Sequence, residues 1–271
     1  MIRRRSSMRP IPSAMFRAKP SSSFIAMALA MTCVMFAENA FGSARVGNAE
    51  VPTDLLGEYS DELIESARDA VRTAPGDTTA LATLGKYLTR KYNVSVEPAL
   101  RAEADSVLKK ALAASPNNAE ALAFQGMLIC IDAREKESQP LGKEGLAILD
   151  RAAEMDPSNL TVVYTNATVS IEVPKRWGRL DAAAEKMHAV EAKLNEDPGR
   201  ARDFDIGIQN VYYKLGKVYQ ERRNFDKAVS YWKMAVEAGP GSAYGRRAKR
   251  LIERYGGPDT SATLWEPGTE R

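Results

Sequence analysis

Few residues in this 271-residue chain suit covalent or metal chemistry: there is one histidine, His188, and there are two cysteines, Cys33 and Cys130. A metal site draws three or four ligands from His, Cys and carboxylates at set spacings. His188 stands between Met187 and Ala189 with no cysteine or second histidine beside it, so no metal site is expected. A nucleophile–base pair through His188 would need a distant partner, and no serine motif points to one. The acidic pairs Asp61/Glu62 and Glu135/Glu137 lie in polar stretches, without the apolar surround that raises a carboxylate pKa. No Gly-x-x-x-x-Gly-Lys occurs, and no strand pattern precedes a glycine-rich turn that could cradle a phosphate. Asn93, Asn159 and Asn166 begin Asn-x-Ser/Thr triplets, which matter only in a eukaryotic secretory pathway. The expectation is a chain without catalytic residues, cofactor or metal.

Charge excludes further classes. The formal net charge is +3, but Arg3, Arg4, Arg5, Arg9, Arg17 and Lys19 all fall within residues 1–44, against one acid, Glu38. The remainder is close to neutral and offers no global field for nucleic acid or an anionic membrane. Residues 222–228 (RRNFDKA) read as a polar turn, and 246–250 (RRAKR), beside Glu253, as the solvated face of a terminal helix.

Those first 44 residues have the build of a secretory signal peptide: basic residues, then an apolar run from Phe24 to Ala37, then small residues with Gly42 and Ala44 before the cleavage point. As a helix the apolar run reaches about 21 Å, too short for a permanent span. Met15 would start a leader of more typical length. The reading is an exported, periplasmic chain that meets the membrane only through its leader. Two alternatives stand beside it. Abundant Arg and Ser with no acid before Glu38 also suit an organelle transit peptide, and Cys33 would be the anchor if the chain were lipidated, although Met31 and Thr32 fit such a site badly. Loss of the leader leaves Cys130 alone, so no internal disulfide can form; Cys130 lies in an apolar helical stretch and reads as a small buried hydrophobe.

The elements that position these residues are set by a ruler of prolines. Pro75, Pro116, Pro157, Pro198 and Pro240 stand 41, 41, 41 and 42 residues apart. Before them come alanine-rich amphipathic stretches such as VLKKALAASP and LDRAAEMDP, each the end of a helix closed by a turn. Regular spacing of a whole helical unit marks a solenoid, in which each unit buries its apolar face on its neighbours.

Within residues 209–242, Tyr212, Leu215, Gly216, Tyr219, Ala228, Trp232, Ala235 and Pro240 occupy the eight signature positions of a 34-residue repeat. In these positions the chain resembles the tetratricopeptide repeat. The pattern recurs as Leu81, Leu84, Gly85, Leu88, Ala104, Leu108, Ala111 and Pro116, and as Leu122, Gly126, Ile129, Gly145, Leu149, Ala152 and Pro157, each with seven extra residues between the paired helices. Those insertions, near 93–98 and 137–142, are expected to enlarge loops on one side of the solenoid. The third unit departs from the pattern: Ala167 keeps the small residue, while Asn166 and Ser170 are polar where large apolar residues are usual.

The expected fold is therefore an all-α right-handed solenoid over residues 58–256, with repeats at 78–118, 119–159, 160–200 and 209–242 and capping helices at 61–74 and 242–255. A linker (45–57) precedes it, and a tail (257–271) carrying Trp265 follows. The resemblance implies that the first helix of each pair lines a concave groove. The residues it maps there are Lys86, Arg90, Phe124, Met127, Tyr164, Thr168, Tyr213, Lys217 and Gln220, a mixture of rings and cations suited to peptide recognition. The Lys/Asn/Arg clamp of chaperone-binding relatives is not reproduced, since Ala82 stands at its first lysine position and Lys86 at its asparagine position. The implied function is a non-catalytic scaffold or adaptor gripping a protein or peptide segment in the cell envelope. A solute-binding or transporter-accessory protein is the alternative, and it would need a deep apolar pocket of roughly 300–1,000 Å³ under the enlarged loops.

Overall fold

The structure is a computed structural model and describes residues 61–197 and 207–257. The chain divides into two units, residues 1–36 and 37–271, and everything below concerns the second. The expected leader (1–44), linker (45–57) and tail with Trp265, together with Cys33 and Pro198, lie outside the described residues.

Ten α-helices and one 3₁₀ turn make up the described chain, with no strand among the described residues. They are α1 (Asp61–Thr73), α2 (Thr78–Ser95), α3 (Pro98–Ala114), α4 (Ala119–Glu135), α5 (Gln139–Met155), α6 (Leu160–Glu172), the 3₁₀ turn (Lys175–Trp177), α7 (Leu180–Glu196), α8 (Ile208–Glu221), α9 (Phe225–Ala238) and α10 (Ala243–Tyr255). Helices α2/α3, α4/α5, α6/α7 and α8/α9 pack as hairpins, and α2, α4, α6, α8 and α10 also pack one on the next. Each second helix leans on the first helix of the following pair. This is the two-row stacking of a solenoid.

The proline ruler is the spacing of one turn design. Pro75, Pro116 and Pro157 each sit in a turn that follows the end of a second helix. The residue two places on caps the next helix by accepting orphan N–H groups. Asp77 Oδ1 accepts from Thr79 N (2.8 Å), Asn118 Oδ1 from Ala121 N (2.9 Å) and Asn159 Oδ1 from Val162 N (3.2 Å). The same period reappears between stacked units. Tyr92 reaches Asp132 across 40 residues, Arg134 reaches Asn93 across 41, Arg222 reaches Asp181 across 41, and Lys214 reaches Glu172 across 42.

The seven extra residues of the first two repeats do not enlarge loops. They lengthen helices: α2 and α3 have 18 and 17 residues, α4 and α5 have 17 each, and α8 and α9 have 14 each. The connections stay short and turn through left-handed residues, Val96 (φ 56°), Glu137 (φ 50°) and Arg223 (φ 58°). Seven residues are close to two helical turns, one for each helix, so the insertion keeps the facing side chains in register.

Small residues set the crossing inside each well-matched pair. A Cβ added to Gly85 would collide with Leu108, one at Gly216 with the Trp232 ring, and one at Gly126 with Leu149 and the Gly145 carbonyl. Trp232, Leu108 and Leu149 are themselves fully buried. The third pair is built differently. Asn166 is fully buried and donates from Nδ2 to Asp150 Oδ1 (3.0 Å), while its Oδ1 accepts from Lys186 Nζ (2.7 Å). Arg179 pairs with Asp150 and reaches the Ser170 hydroxyl at 3.4 Å. The polar residues that break the repeat signature are thus the members of one network joining α5, α6 and α7.

Candidate functional site

The first helices converge on a cavity of about 100 Å³ at the inner face. From α2 it takes Arg90 and Asn93; from α4, Met127, Cys130, Ile131 and Arg134; from α6, Tyr164, Thr165, Thr168, Val169 and Glu172. Val173 follows α6, Lys214 comes from α8, and Tyr244 comes from α10. The cavity is closed on one side by a seam between the two ends of the solenoid. Ala243 and Tyr244 of α10 pack against Val94 of α2 and Tyr213 of α8, and the Tyr213 and Tyr244 rings lie 5.2 Å apart. The superhelix turns far enough within these repeats for its first hairpin to meet its terminal helix.

Three cationic side chains and one anionic side chain line this space. Lys214 is buried and ion-paired with Glu172. Burial works against its ammonium, but Glu172, Tyr164 and Tyr213 more than offset it, and its pKa lies above the ordinary lysine value. Burial opposes the Glu172 carboxylate in the same way; Lys214 first and then Arg134 and Lys217 hold its pKa below the usual range. Arg134 donates from Nε to Glu135 (3.1 Å) and from Nη1 to Asn93 Oδ1 (3.0 Å). The Arg90 guanidinium lies 5.4 Å over the Phe124 ring. The Thr168 hydroxyl is buried and has no hydrogen-bond partner among the described residues.

No family model matches the chain, and no curated protein sequence does. Solved structures do. The thermophilic TPR protein TTC0263 of Thermus thermophilus superposes at TM-score 0.54 with 15% identity, covering 83% of this chain and 99% of that one. The fold is that of a tetratricopeptide solenoid. YrrB, described as a TPR protein with an unusual peptide-binding site, aligns at TM-score 0.41 with 21% identity over 85% of this chain and 98% of its own.

Within the tetratricopeptide frame the residues expected in the groove fall into two groups. Arg90, Met127, Tyr164 and Thr168 line the cavity. The others do not. Phe124 is fully buried beneath Arg90, and Lys86 is buried and paired with Glu120 at 3.3 Å. Both lie where adjacent first helices pack on each other. Tyr213 belongs to the seam against Tyr244. Lys217 donates to Gln220 (2.8 Å), and Gln220 in turn donates to the Tyr255 hydroxyl (3.1 Å), so both tie α8 to α10. Burial, with Lys214 and Arg254 nearby, draws the Lys217 pKa below the ordinary lysine value.

Asn93, Arg134, Lys214 and Tyr244 are lining residues that the repeat signature does not flag. Asn93 and Arg134 stand in the lengthened ends of α2 and α4, one period apart, and that separation was a usable signal. Tyr244 comes from the cap, where the signature has no position.

His188 lies elsewhere. Its Nδ1 is 2.9 Å from Glu191 Oε2 and its Nε2 is 3.1 Å from the Tyr219 hydroxyl, with the Tyr231 ring 6.1 Å away. These contacts fasten α7 to α8 and α9 in a packed aromatic cluster, and His188 is not among the cavity's lining residues. Among the described residues no group of three His, Cys, Asp or Glu side chains is placed to hold a metal ion. Cys130 is buried, its Sγ 3.7 Å from the Gly142 carbonyl oxygen, and burial pushes its thiol pKa up to about 12.

Proposed function

We propose that this chain is a non-catalytic interaction scaffold that holds a segment of another protein against the inner row of first helices. The signal-peptide-like pattern of residues 1–44 supports delivery to the envelope, so the partner would be an envelope protein. The observation that carries this reading is the convergence of five alternate helices, α2, α4, α6, α8 and α10, on one lined recess whose rings, aliphatic groups and cations suit a polypeptide. The contrasting reading, a solute-binding protein, requires an enclosed apolar space of roughly 300–1,000 Å³. The inner cavity, at about 100 Å³, is too small for that. A second recess, of about 350 Å³, is open to solvent and mixes charged residues (Lys143, Asp150, Arg176 and Arg179) with Trp177, Leu146 and Ala147.

The test is capture from the native envelope fraction with the wild-type chain beside Thr168→Tyr, which fills the recess from its wall. A protein recovered by the wild type and lost by the variant, with unchanged unfolding midpoint, supports the scaffold. Recovery of the same proteins by both, together with a small molecule retained by the wild type in native mass spectrometry, replaces it with the solute reading.

A further inference from the structure

Between α6 and α7 the chain reads Val-Pro-Lys-Arg-Trp-Gly-Arg (173–179), three cations around one indole. Pro174 opens the 3₁₀ turn and Gly178 closes it at φ 66°, a left-handed backbone that glycine adopts without strain. Trp177 N donates to the Pro174 carbonyl and Gly178 N to that of Lys175, each at 2.9 Å. Lys175 is drawn aside to Glu221 (2.8 Å). Arg176 and Trp177 are thereby held beside α5, where they form, with Arg179 and the α5 residues, the open recess of about 350 Å³.

The charges of this recess do not balance. Its one carboxylate, Asp150, is engaged by Arg179, Asn166 and Lys186. Lys143 and Arg176 line the same space, are exposed, and make no ion pair or hydrogen bond among the described residues. Glu144, the next residue of α5, lies about 100° further round the helix and is outside the lining. Acceptors are scarce enough that the buried Arg179 Nε–H has none among the described residues. Trp177, Leu146 and Ala147 supply an apolar wall beside the two uncompensated cations.

We propose that this recess is a docking site for an acidic–hydrophobic segment of a protein partner, its carboxylates paired with Lys143 and Arg176 and a neighbouring apolar side chain laid against Trp177 and Ala147. Charge complementarity sets the sign of the guest. The apolar wall distinguishes it from a bare inorganic anion, and the opening to solvent lets an extended chain cross the site. The closed turn presents Arg176 and Trp177 in place, so little ordering is lost when the segment binds. The inference rests on the reading of this chain as a protein-binding scaffold. It adds a contact that shares no lining residue with the inner recess.

The experiment uses the full chain with ¹⁵N-labelled tryptophan indoles, titrated with the peptide acetyl-Gly-Asp-Phe-Glu-Gly-amide. Trp177→Phe assigns the reporting resonance. A saturable shift of the Trp177 indole is expected, with the Trp232 indole unmoved. The Asn/Gln counterpart of the peptide should bind about tenfold more weakly, and replacing its Phe by Ala should also weaken it. Lys143→Gln and Arg176→Gln should each weaken binding about threefold and the double variant about tenfold, with unchanged unfolding midpoints, because both side chains are exposed and unpaired. No saturable shift, equal binding of the amide peptide, or binding indifferent to the double variant would overturn the proposal. So would inorganic phosphate, or phosphatidylglycerol vesicles, competing the peptide away with tighter binding of their own; the first outcome assigns the recess to a free anion and the second to a lipid surface. If a partner is captured as described above while the peptide gives no shift, the scaffold stands and this second contact falls. If the peptide binds as expected while Thr168→Tyr leaves capture unchanged, this contact stands and the inner recess loses its role.

Discussion

The third and fourth helical pairs both close over apolar cores, but the third adds a charged network where the fourth sets a glycine against a ring. In the fourth, Gly216 lets the Trp232 ring lie against α8, Leu215 is fully buried, and Tyr219 stacks on Tyr231 with ring centroids 5.4 Å apart. At the matching places in the third stand Asn166, Ala167 and Ser170, and the polar two find their partners in Asp150, Lys186 and Arg179. Size complementarity shapes one crossing; the other combines an apolar core, with Ala167, Ala183, Ala184 and Met187 buried, and a network of paired donors and acceptors. The apolar crossing draws on burial and dispersion, which have no angular requirement. The polar network contributes little net free energy and becomes costly when one member is lost, because its neighbours stay half-buried without partners.

Truncation separates the two. Trp232→Ala should show the largest effect, about 3–5 kcal/mol of lost stability by denaturant unfolding, since the glycine opposite cannot fill the space. Asp150→Ala should cost less, about 1–2 kcal/mol, because the Arg179 and Asp150 side chains are 27% and 31% exposed and water takes over part of their pairing. Cys130, in α4 of the second pair, reports on opening there through its labelling rate. With its thiol pKa near 12 and its Sγ buried, it should resist a thiol reagent at pH 8 in the native chain and react fully in denaturant. Rapid native labelling would place an opening within α4.

How much of this was legible in the sequence follows the same division. Where crossings rely on size, the letters carry the answer: Gly216 with Trp232, Gly85 with Leu108 and Gly126 with Leu149 could be read from spacing, and the prolines with their Asp77, Asn118 and Asn159 caps marked the turns. Where the crossing relies on paired polar groups, the letters mislead. Asn166 in isolation looks like a lapse in the pattern, because Asp150 lies 16 residues before it and Lys186 lies 20 residues after it. The insertions were misread for a related reason. A sequence shows seven added residues but not that they divide between two helices, and Pro98 and Pro140, which read as loop residues, stand in the first turns of α3 and α5. The recess was half legible. Arg90, Met127, Tyr164 and Thr168 follow from the repeat map, whereas Tyr244 reaches the cavity only because the superhelix brings its two ends together.

The most direct test of the claim that a charged network supports the third pair is acid titration of stability for the wild type and Asp150→Asn. Burial opposes the Asp150 carboxylate, but Arg179, Asn166 and Lys186 together hold its pKa below the ordinary aspartate value. A carboxylate whose pKa is lower folded than unfolded contributes stability that is complete above the unfolded value and drains away as pH falls through the folded one. The gap in unfolding free energy between the two proteins should therefore stay constant from neutral pH down to about pH 4 and shrink below it. A gap that is absent at neutral pH, or that stays the same through the acid range, would contradict the account.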